Sequence, residues 1–442
     1  MNHLQELDKI AREHSNSRSV VNGFNASADY VRDQLLAGAA GYCDVSIQEF
    51  KVPVWKELEI PEFSSVLNLP GSTPQERVEY QHMNDFRVFQ DGGPSTTLRK
   101  QRIRFVPNHG CKLKDHSQIA GKVAIIEARG EDGLQCDYWI AARNAEKAGA
   151  SGVIFYNTAK QVALIYTRMR VIPWKEGDPL ISIPVLSVSY SIGTNLVQHE
   201  STLLIDIRTR NSQTVETTRN VLCTTKDGND QDTIVVGSHL DSVPDGPGMV
   251  DNGSGSSVNL EMALLMAKYR FSLKSRIVFA WWGAEEIGLL GSRHYVRQLV
   301  AEGKKQEVVH NGTTAPESLI QPSVKIQDLF LQYFSVYRHD YELTDMFSGS
   351  DFIPFLLEGI PAGGLLTGAD EQKSVEQRKR FGGFAGAPLD PCYHQSCDNI
   401  DNVSKEAIQT MSQAALYVVT KLAKAKNLRG WLYDESWSFR IL

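Results

Sequence analysis

One histidine and three carboxylates stand out for what they could do together. Residues 234–292 read IVVGSHLDSVPDGPGMVDNGSGSS, then a helical run, then RIVFAWWGAEEIGLLGS. His239 ends a short β-branched run that begins at Ile234. Asp251 follows in the glycine-rich loop GMVDNGSG, and Glu285–Glu286 follow an apolar run from Ile277 to Trp282. Imidazole and carboxylate are a ligand set that suits zinc. Carboxylates that repel one another gather only where a cation or protons offset them. Taken singly, each residue reads as an ordinary surface carboxylate or a hydrogen-bonded histidine. Their shared placement at strand ends, with glycines clearing the loop, points to a metal.

The elements that must position these groups are legible around them. The two apolar runs read as strands, and Val258 to Lys268 has the length and composition of a helix. This is a βαβ unit, whose crossover is nearly always right-handed and leaves its strands parallel. In open α/β sheets, ligand groups collect beyond the carboxyl ends of the strands. His239, Asp251, Glu285 and Glu286 are therefore expected on one rim.

The segments HLDS, VDNGSG and AEEIGLLGS, with DPCYHQSCDNIDN from Asp390 to Asn402, resemble the co-catalytic zinc aminopeptidases related to leucine aminopeptidases and aminopeptidase Y. The resemblance covers most of the chain. It implies removal of the amino-terminal residue from peptide substrates, with Zn2+ as cofactor. It implies His239 on one zinc, Asp251 bridging two, Glu286 as a ligand and His394 completing the other zinc. It casts Glu285 as general base and Tyr393 as hydrogen-bond donor to the oxyanion of the tetrahedral intermediate. Asp241 matches the carboxylate that orients the first histidine, a support that metal-bound imidazoles commonly need. It also pairs the cysteines that flank His394, Cys392 and Cys397. Two other readings stay open: a binding protein that keeps the fold without catalysis, and a one-zinc enzyme such as a glutaminyl cyclase.

One departure matters. In the family, a strand and an N-x-D-M-x-G motif follow the helix that begins near Gly291, and its aspartate binds a metal. Here Leu299 runs into VAEGKKQEVVHNGTTAPESLIQPS, with no such motif. The zinc served by His239 then keeps two protein ligands, His239 and Asp251. The other keeps three: Asp251, Glu286 and His394. Catalytic zinc commonly has three protein ligands plus water, so one ion is expected to bind well and the second weakly. Asp351, His310 and Asp345 are candidate stand-ins. His294 is expected on a helix in a structural role, and Pro361 to Thr367 reads as a strand end that could line the pocket.

The remainder of the chain sets the frame. A length of 442 residues suggests roughly two to three domains. A net charge of −6 gives no basic bias, which argues against nucleic acid as a partner. No run approaches the ~18 apolar residues that span a bilayer. The expected fold is α/β: a three-layer αβα catalytic domain with a mixed, mostly parallel sheet, over 1–104 and 209–442, and an inserted α+β domain over 105–208. GKVAIIEARG, NAEKAGASGVIFYN and IPVLSVS make that insert resemble a protease-associated domain, which could be a lid, a specificity wall or a structural appendage. Tyr138 and Trp139 are expected in its core. Cys111 and Cys136 could pair within it, and the state of Cys43 and Cys223 stays open. The N-terminal stretch MNHLQELDKIAREH shows no signal peptide. The six cysteines and the sequons at Asn25, Asn252, Asn311 and Asn402 nonetheless favour a secreted or vacuolar protein.

Overall fold

The computed structural model describes residues 1–67, 77–128, 136–159, 164–165, 174–301, 317–344 and 349–434. The chain divides into two compact units, one of residues 1–50 with 217–442 and one of residues 51–216. Residues 51–104 and 209–216 thus group with the insert, where the sequence had suggested the catalytic part. Strand pairing is the reason. The strand Thr96–Val106 runs parallel to Val123–Glu127 and antiparallel to residues 204–209, so its hydrogen bonds belong to the insert.

The first unit opens with helices α1 (Asn2–Glu13) and α2 (Phe24–Gly38). Each buries a single stripe: Leu4, Leu7 and Ala11 on α1, and Phe24, Ala28, Val31 and Leu35 on α2. These spacings of three and four put the apolar side chains on one face. The chain then enters β1 (Cys43–Leu67).

In the second unit, β2 (Arg77–Tyr80) pairs antiparallel with the end of β1. Next come β3 (Phe86–Val88), β4 (Thr96–Val106), β5 (Val123–Glu127), α3 (Tyr138–Lys147), β6 (Gly152–Tyr156), β7 (Val185–Val188) and α4 (Tyr190–Gln198). Strands β4, β5, β6 and β7 run parallel in that order, and β3 lies antiparallel on β7. Both faces of β5 and β6 are covered. Ala124, Ile126, Val153 and Phe155 pack with Ala141, Ala142 and Ala145 of α3. Val123, Ile125 and Ile154 pack with Leu196 of α4. Double coverage explains why these strands read as unbroken apolar runs. Tyr138 and Trp139 pack against the α3 core, and Cys111 bonds to Cys136.

The chain returns to the first unit along β8 (Leu203–Thr225), followed by β9 (Asn229–His239), α5 (Gly255–Lys268), β10 (Ser275–Trp282) and α6 (Leu290–Ala301). Helices α7 (Glu317–Tyr337), α8 (Ile353–Leu357), α9 (Val375–Phe381), α10 (Lys405–Ala423) and α11 (Leu428–Tyr433) complete it. β9 and β10 are parallel, with Trp282 opposite His239, and α5 is the crossover between them. β8 joins the other side of β10 antiparallel. The sheet is mixed, and β10 is its buried centre. Ile277, Phe279 and Trp281 point into a core with α1, α2 and α5. Val278, Ala280 and Trp282 point into another with Tyr295 of α6 and Phe355 of α8.

Among the described residues β9 pairs with β10 alone. Its Ile234, Val235 and Val236 are half-buried and Gly237 is exposed, whereas β10 is buried throughout except for Arg276. Pro361 to Thr367, expected as a strand end, has no regular structure. An extended segment becomes a strand only by pairing its backbone, and among the described residues none pairs with this one.

All six cysteines are paired. The Cys43–Cys223 bond joins β1 to β8 across a separation of 180 residues, and both sulfurs are buried. A cross-link that closes so long a loop restricts the unfolded chain strongly. Replacing both residues by alanine is expected to cost about 2–5 kcal/mol, read as a lowered urea midpoint. An unchanged midpoint would contradict this role.

Candidate metal centre

His239 ends β9, and the first turns of α5 hold that end in place. Ser256 donates its hydroxyl to the His239 carbonyl at 2.6 Å. Asn259 donates to the carbonyls of Val236 and Ala280 at 3.2 and 2.9 Å, tying the two parallel strands together. The imidazole is buried; Nδ1 donates to the backbone carbonyl of Asp241 at 3.0 Å. That bond leaves Nε2 free as a ligand atom, and Nε2 lies 3.1 Å from Oδ1 of Asp251.

The orienting contact to His239 thus comes from the Asp241 main chain. The Asp241 carboxylate, whose Oδ1 lies 3.9 Å from Nδ1, has other partners. It accepts the backbone N–H groups of Glu285 and Glu286 at 3.1 and 3.2 Å. One buried side chain therefore fixes the turn that carries both glutamates. Gly283 lets that turn pass closely, since a Cβ there would lie 2.6 Å from the Arg219 carbonyl oxygen. Burial raises the Asp241 pKa to about 7, with the charge of Glu286 adding to it against the pull of His239.

Asp251 sits in the loop before α5, at a cis peptide bond to Asn252. Two residues not singled out in the sequence hold this loop. Asp398 accepts the N–H groups of Val250 and Asp251 at 2.9 and 3.2 Å. Arg18 is fully buried and donates to the carbonyls of Pro247, Leu240 and Gly248. Burial lowers its pKa to about 10, against the attraction of Asp241, Asp398, Asp251 and Glu286. It is a fixed cation behind a cluster of carboxylates. Gly248 has a φ of 63°, and a Cβ there would meet the Asp251 carbonyl oxygen at 2.4 Å, so only glycine suits the position.

His394 comes from the distant end of the chain. It adopts a left-handed φ of 58° between the bonded cysteines Cys392 and Cys397. Its Nε2 lies 3.2 Å from Oδ2 of Asp251 and 3.3 Å from Oε2 of Glu286. Tyr393 stacks on its ring with centroids 3.8 Å apart. Burial and the charges of Asp251, Glu286 and Glu285 keep the Tyr393 phenol firmly protonated, so it remains a donor.

Asp251 is thus bracketed, one oxygen towards each imidazole. Burial works against its charge, but the contacts with His239 and His394 hold its pKa well below the usual range. Both imidazoles respond in kind. Burial opposes their protonation, yet the carboxylates raise His239 well above its ordinary value and His394 to about 10. Glu285 is pushed well above the usual carboxylate range by burial and by Asp351, Glu286 and Asp241, against the pull of His239. Carboxylates outnumber imidazoles, and the excess negative charge calls for a cation.

Among the described residues, two groups have ligand atoms mutually close enough to hold one ion: Asp251 with Glu286 and His394, and His239 with Glu285 and Glu286. The donor set of the first fits a divalent metal. Among the described residues Oε1 of Glu286 is buried without a hydrogen-bond partner, an arrangement that an ion would relieve. The expected stand-ins His310 and Asp345 lie outside the described residues, as do Asn311 and the stretch 302–316 where the family motif was sought. Asp351 is buried near the cluster but belongs to neither group. His294 lies on α6, stacked on Phe50, and belongs to neither group.

Two outcomes follow from these contacts. His394 has a folded pKa of about 10 against an ordinary 6.5, so its proton stabilises the metal-free protein below about pH 6.5. That contribution is lost as pH rises through about 10. Metal uptake at pH 7 is expected to release protons, measurable by calorimetry in buffers of different ionisation enthalpy; uptake without release contradicts the histidine assignment. Asp398→Asn sets amide hydrogens against the loop N–H groups. Metal affinity is expected to fall about 10- to 100-fold in competition with a chelating dye, and unchanged affinity removes Asp398 from the site's support.

The chain is similar to known proteins over most of its length. Residues 220–419 match the model of peptidase family M28, and residues 98–196 match the PA domain. An aminopeptidase of Pseudomonas aeruginosa is 34% identical over 95% of this chain and 80% of its own length. A probable leucine aminopeptidase 2 of Aspergillus fumigatus is 33% identical over 73% of this chain and 66% of its own length. Among solved structures, the aminopeptidase from Aneurinibacillus sp. strain AM-1 superposes with a TM-score of 0.63 at 22% identity, over 95% of this chain and 92% of that one. The zinc aminopeptidase BSAP from Bacillus subtilis gives 0.60 at 24% identity, over 96% of each. This chain belongs to peptidase family M28 and carries a PA domain within it.

Proposed function

We propose that this protein is a zinc-dependent aminopeptidase, hydrolysing the amino-terminal residue from peptides. The observation that carries the reading is the convergence of Asp251, Glu286 and His394 with Glu285 beside them on the same turn. Family membership and relatives named as aminopeptidases support it. The donor set of imidazole and carboxylate supports zinc as the ion. The helix-covered faces of β10 support a three-layer αβα reading of the catalytic unit. Six paired cysteines favour an oxidising compartment, outside the cell or in a vacuole.

In this reading Asp251, Glu286 and His394 hold one ion tightly, and His239 with Asp251 offers a second ion a weaker place. Zinc bound there supplies Lewis acidity to a water and to the scissile carbonyl. Glu285 takes the proton from the attacking water and returns it to the leaving amine. Its burial favours the protonated form, which suits the second half of that task, and a nearby cation favours the ionised form needed for the first. Tyr393 donates its phenolic hydrogen to the developing oxyanion, a contribution on the order of 3 kcal/mol. Asp241 and Asp398 react with nothing; they hold the backbone that aims Glu285, Glu286 and Asp251.

The test is Glu285→Gln, which keeps size and removes the base. Zinc content by mass spectrometry is expected to persist, near one tightly held ion per chain. Turnover of leucine p-nitroanilide is expected to fall by roughly 10²–10⁴-fold. Retained turnover would refute the base assignment. Absence of any zinc-stimulated turnover by the unmutated chain would refute the peptidase reading.

A further inference from the structure

We infer that Asp351 receives the positively charged amino terminus of the bound peptide. This rests on the aminopeptidase reading above and names the residue that would make the site prefer a free amino group. Asp351 lies in the turn before α8 and is 7% exposed. Among the described residues neither of its carboxylate oxygens has a hydrogen-bond partner by distance and angle. The Ser292 hydroxyl is near enough to lower its pKa but donates to the Leu289 carbonyl at 3.2 Å. A buried carboxylate left this way is costly unless a charged or hydrogen-bonding group reaches it. Burial raises its pKa to about 6, and the charges it feels are those of His239, Glu286 and Arg293. Among charged neighbours of Glu285 other than His239, it has the largest effect. Asp351 therefore lies close enough to His239, Glu285 and Glu286 to act on their charges.

Elimination among the neighbouring carboxylates leads to the same residue. Asp241 gives both oxygens to the N–H groups of Glu285 and Glu286. Asp251 gives one oxygen to each histidine. Glu286 faces His394 with one oxygen and belongs to both candidate ligand groups. Asp398 accepts from Val250, Asp251 and Asn402. Glu285 is needed for the proton. Among these carboxylates Asp351 has both oxygens buried without a hydrogen bond and no role yet assigned.

The substrate supplies what is missing. In an amino-terminal residue the ammonium nitrogen lies about 2.5 Å from the scissile carbonyl carbon, so it must sit within the same few ångströms as Glu285. A carboxylate held there pairs with the ammonium and completes its own hydrogen bonds in doing so. An internal or blocked peptide brings no ammonium and leaves Asp351 buried and unpaired. Sites that leave a buried polar group unpaired reject the deficient ligand strongly.

The experiment uses the full chain loaded with zinc and two competitive ligands of one skeleton. Leucine carries the ammonium and 4-methylpentanoate lacks it. Asp351→Asn is expected to weaken leucine by about 10-fold or more and to leave 4-methylpentanoate and the zinc content unchanged. For leucine p-nitroanilide the loss is expected in KM more than in kcat. Equal weakening of both ligands overturns the inference, as does loss of zinc, which would make Asp351 a metal ligand. If Asp351→Asn does not fold, Asp351→Glu keeps the charge and displaces it; leucine is then expected to weaken relative to 4-methylpentanoate, and unaltered selectivity overturns the inference. Wild-type turnover that survives while selectivity ignores Asp351 removes only this inference, whereas an unmutated chain inert towards leucine p-nitroanilide removes the aminopeptidase reading as well.

Discussion

The bracketing of one carboxylate by two imidazoles is the constraint on which the site depends. Asp251 lies 3.1 Å from one histidine and 3.2 Å from the other. These histidines are contributed by chain segments some 150 residues apart, His239 and His394. Like charges surround this trio, so it persists only if positive charge is supplied. Protons on the imidazoles can do so, and so can a divalent ion with the imidazoles neutral. The site is thus a competition between two kinds of cation for the same lone pairs. Arg18 contributes a third positive charge that never leaves, buried behind the loop it holds.

The chemistry-bearing side chains are held mostly through the main chain. Asp241 grips the N–H groups of the glutamate turn, Asp398 grips those of the Asp251 loop, and Ser256 and Arg18 grip carbonyls. Such contacts fix where a loop runs without competing for the oxygens and nitrogens that face the ion. They also explain why so many buried polar groups gather at one end of the sheet. Each satisfies a backbone group that leaves regular structure there.

How much of this could be read beforehand depended on the kind of signal. His239, Asp251, Glu285 and Glu286 were legible because strand ends can be located from β-branched runs, and an open α/β sheet directs those ends to one rim. His394 and Tyr393 sit in a loop without periodicity, and only the motif around them marked them. Arg18 and Asp398 gave no signal, since a residue that binds carbonyls or N–H groups of a distant loop leaves no local pattern. The role of the Asp241 carboxylate was hidden for the same reason. The compact units divide at residues 50 and 217 rather than at the expected limits of the insert, because β1 and β8 run on as strands past those points. A strand carries no mark for the point at which its partners change. The run at Ile234 read as a strand, but its sequence did not show that Ile234 to Val236 are only half-buried among the described residues. Neighbouring strands, which a sequence does not display, decide that.

The bond between Cys43 and Cys223 lies just outside both ends of the inserted unit. Every one of residues 51–216 therefore lies within the loop it closes. A single cleavage anywhere in that loop would leave two polypeptides joined through sulfur, with residues 1–50 still tethered to residues 217–442. Arg18 would stay beside the carbonyls it binds, and the cluster of acids would keep its counter-charge. For a protein in the company of proteases, that covalent clasp makes damage to the insert survivable by the part that holds the ion.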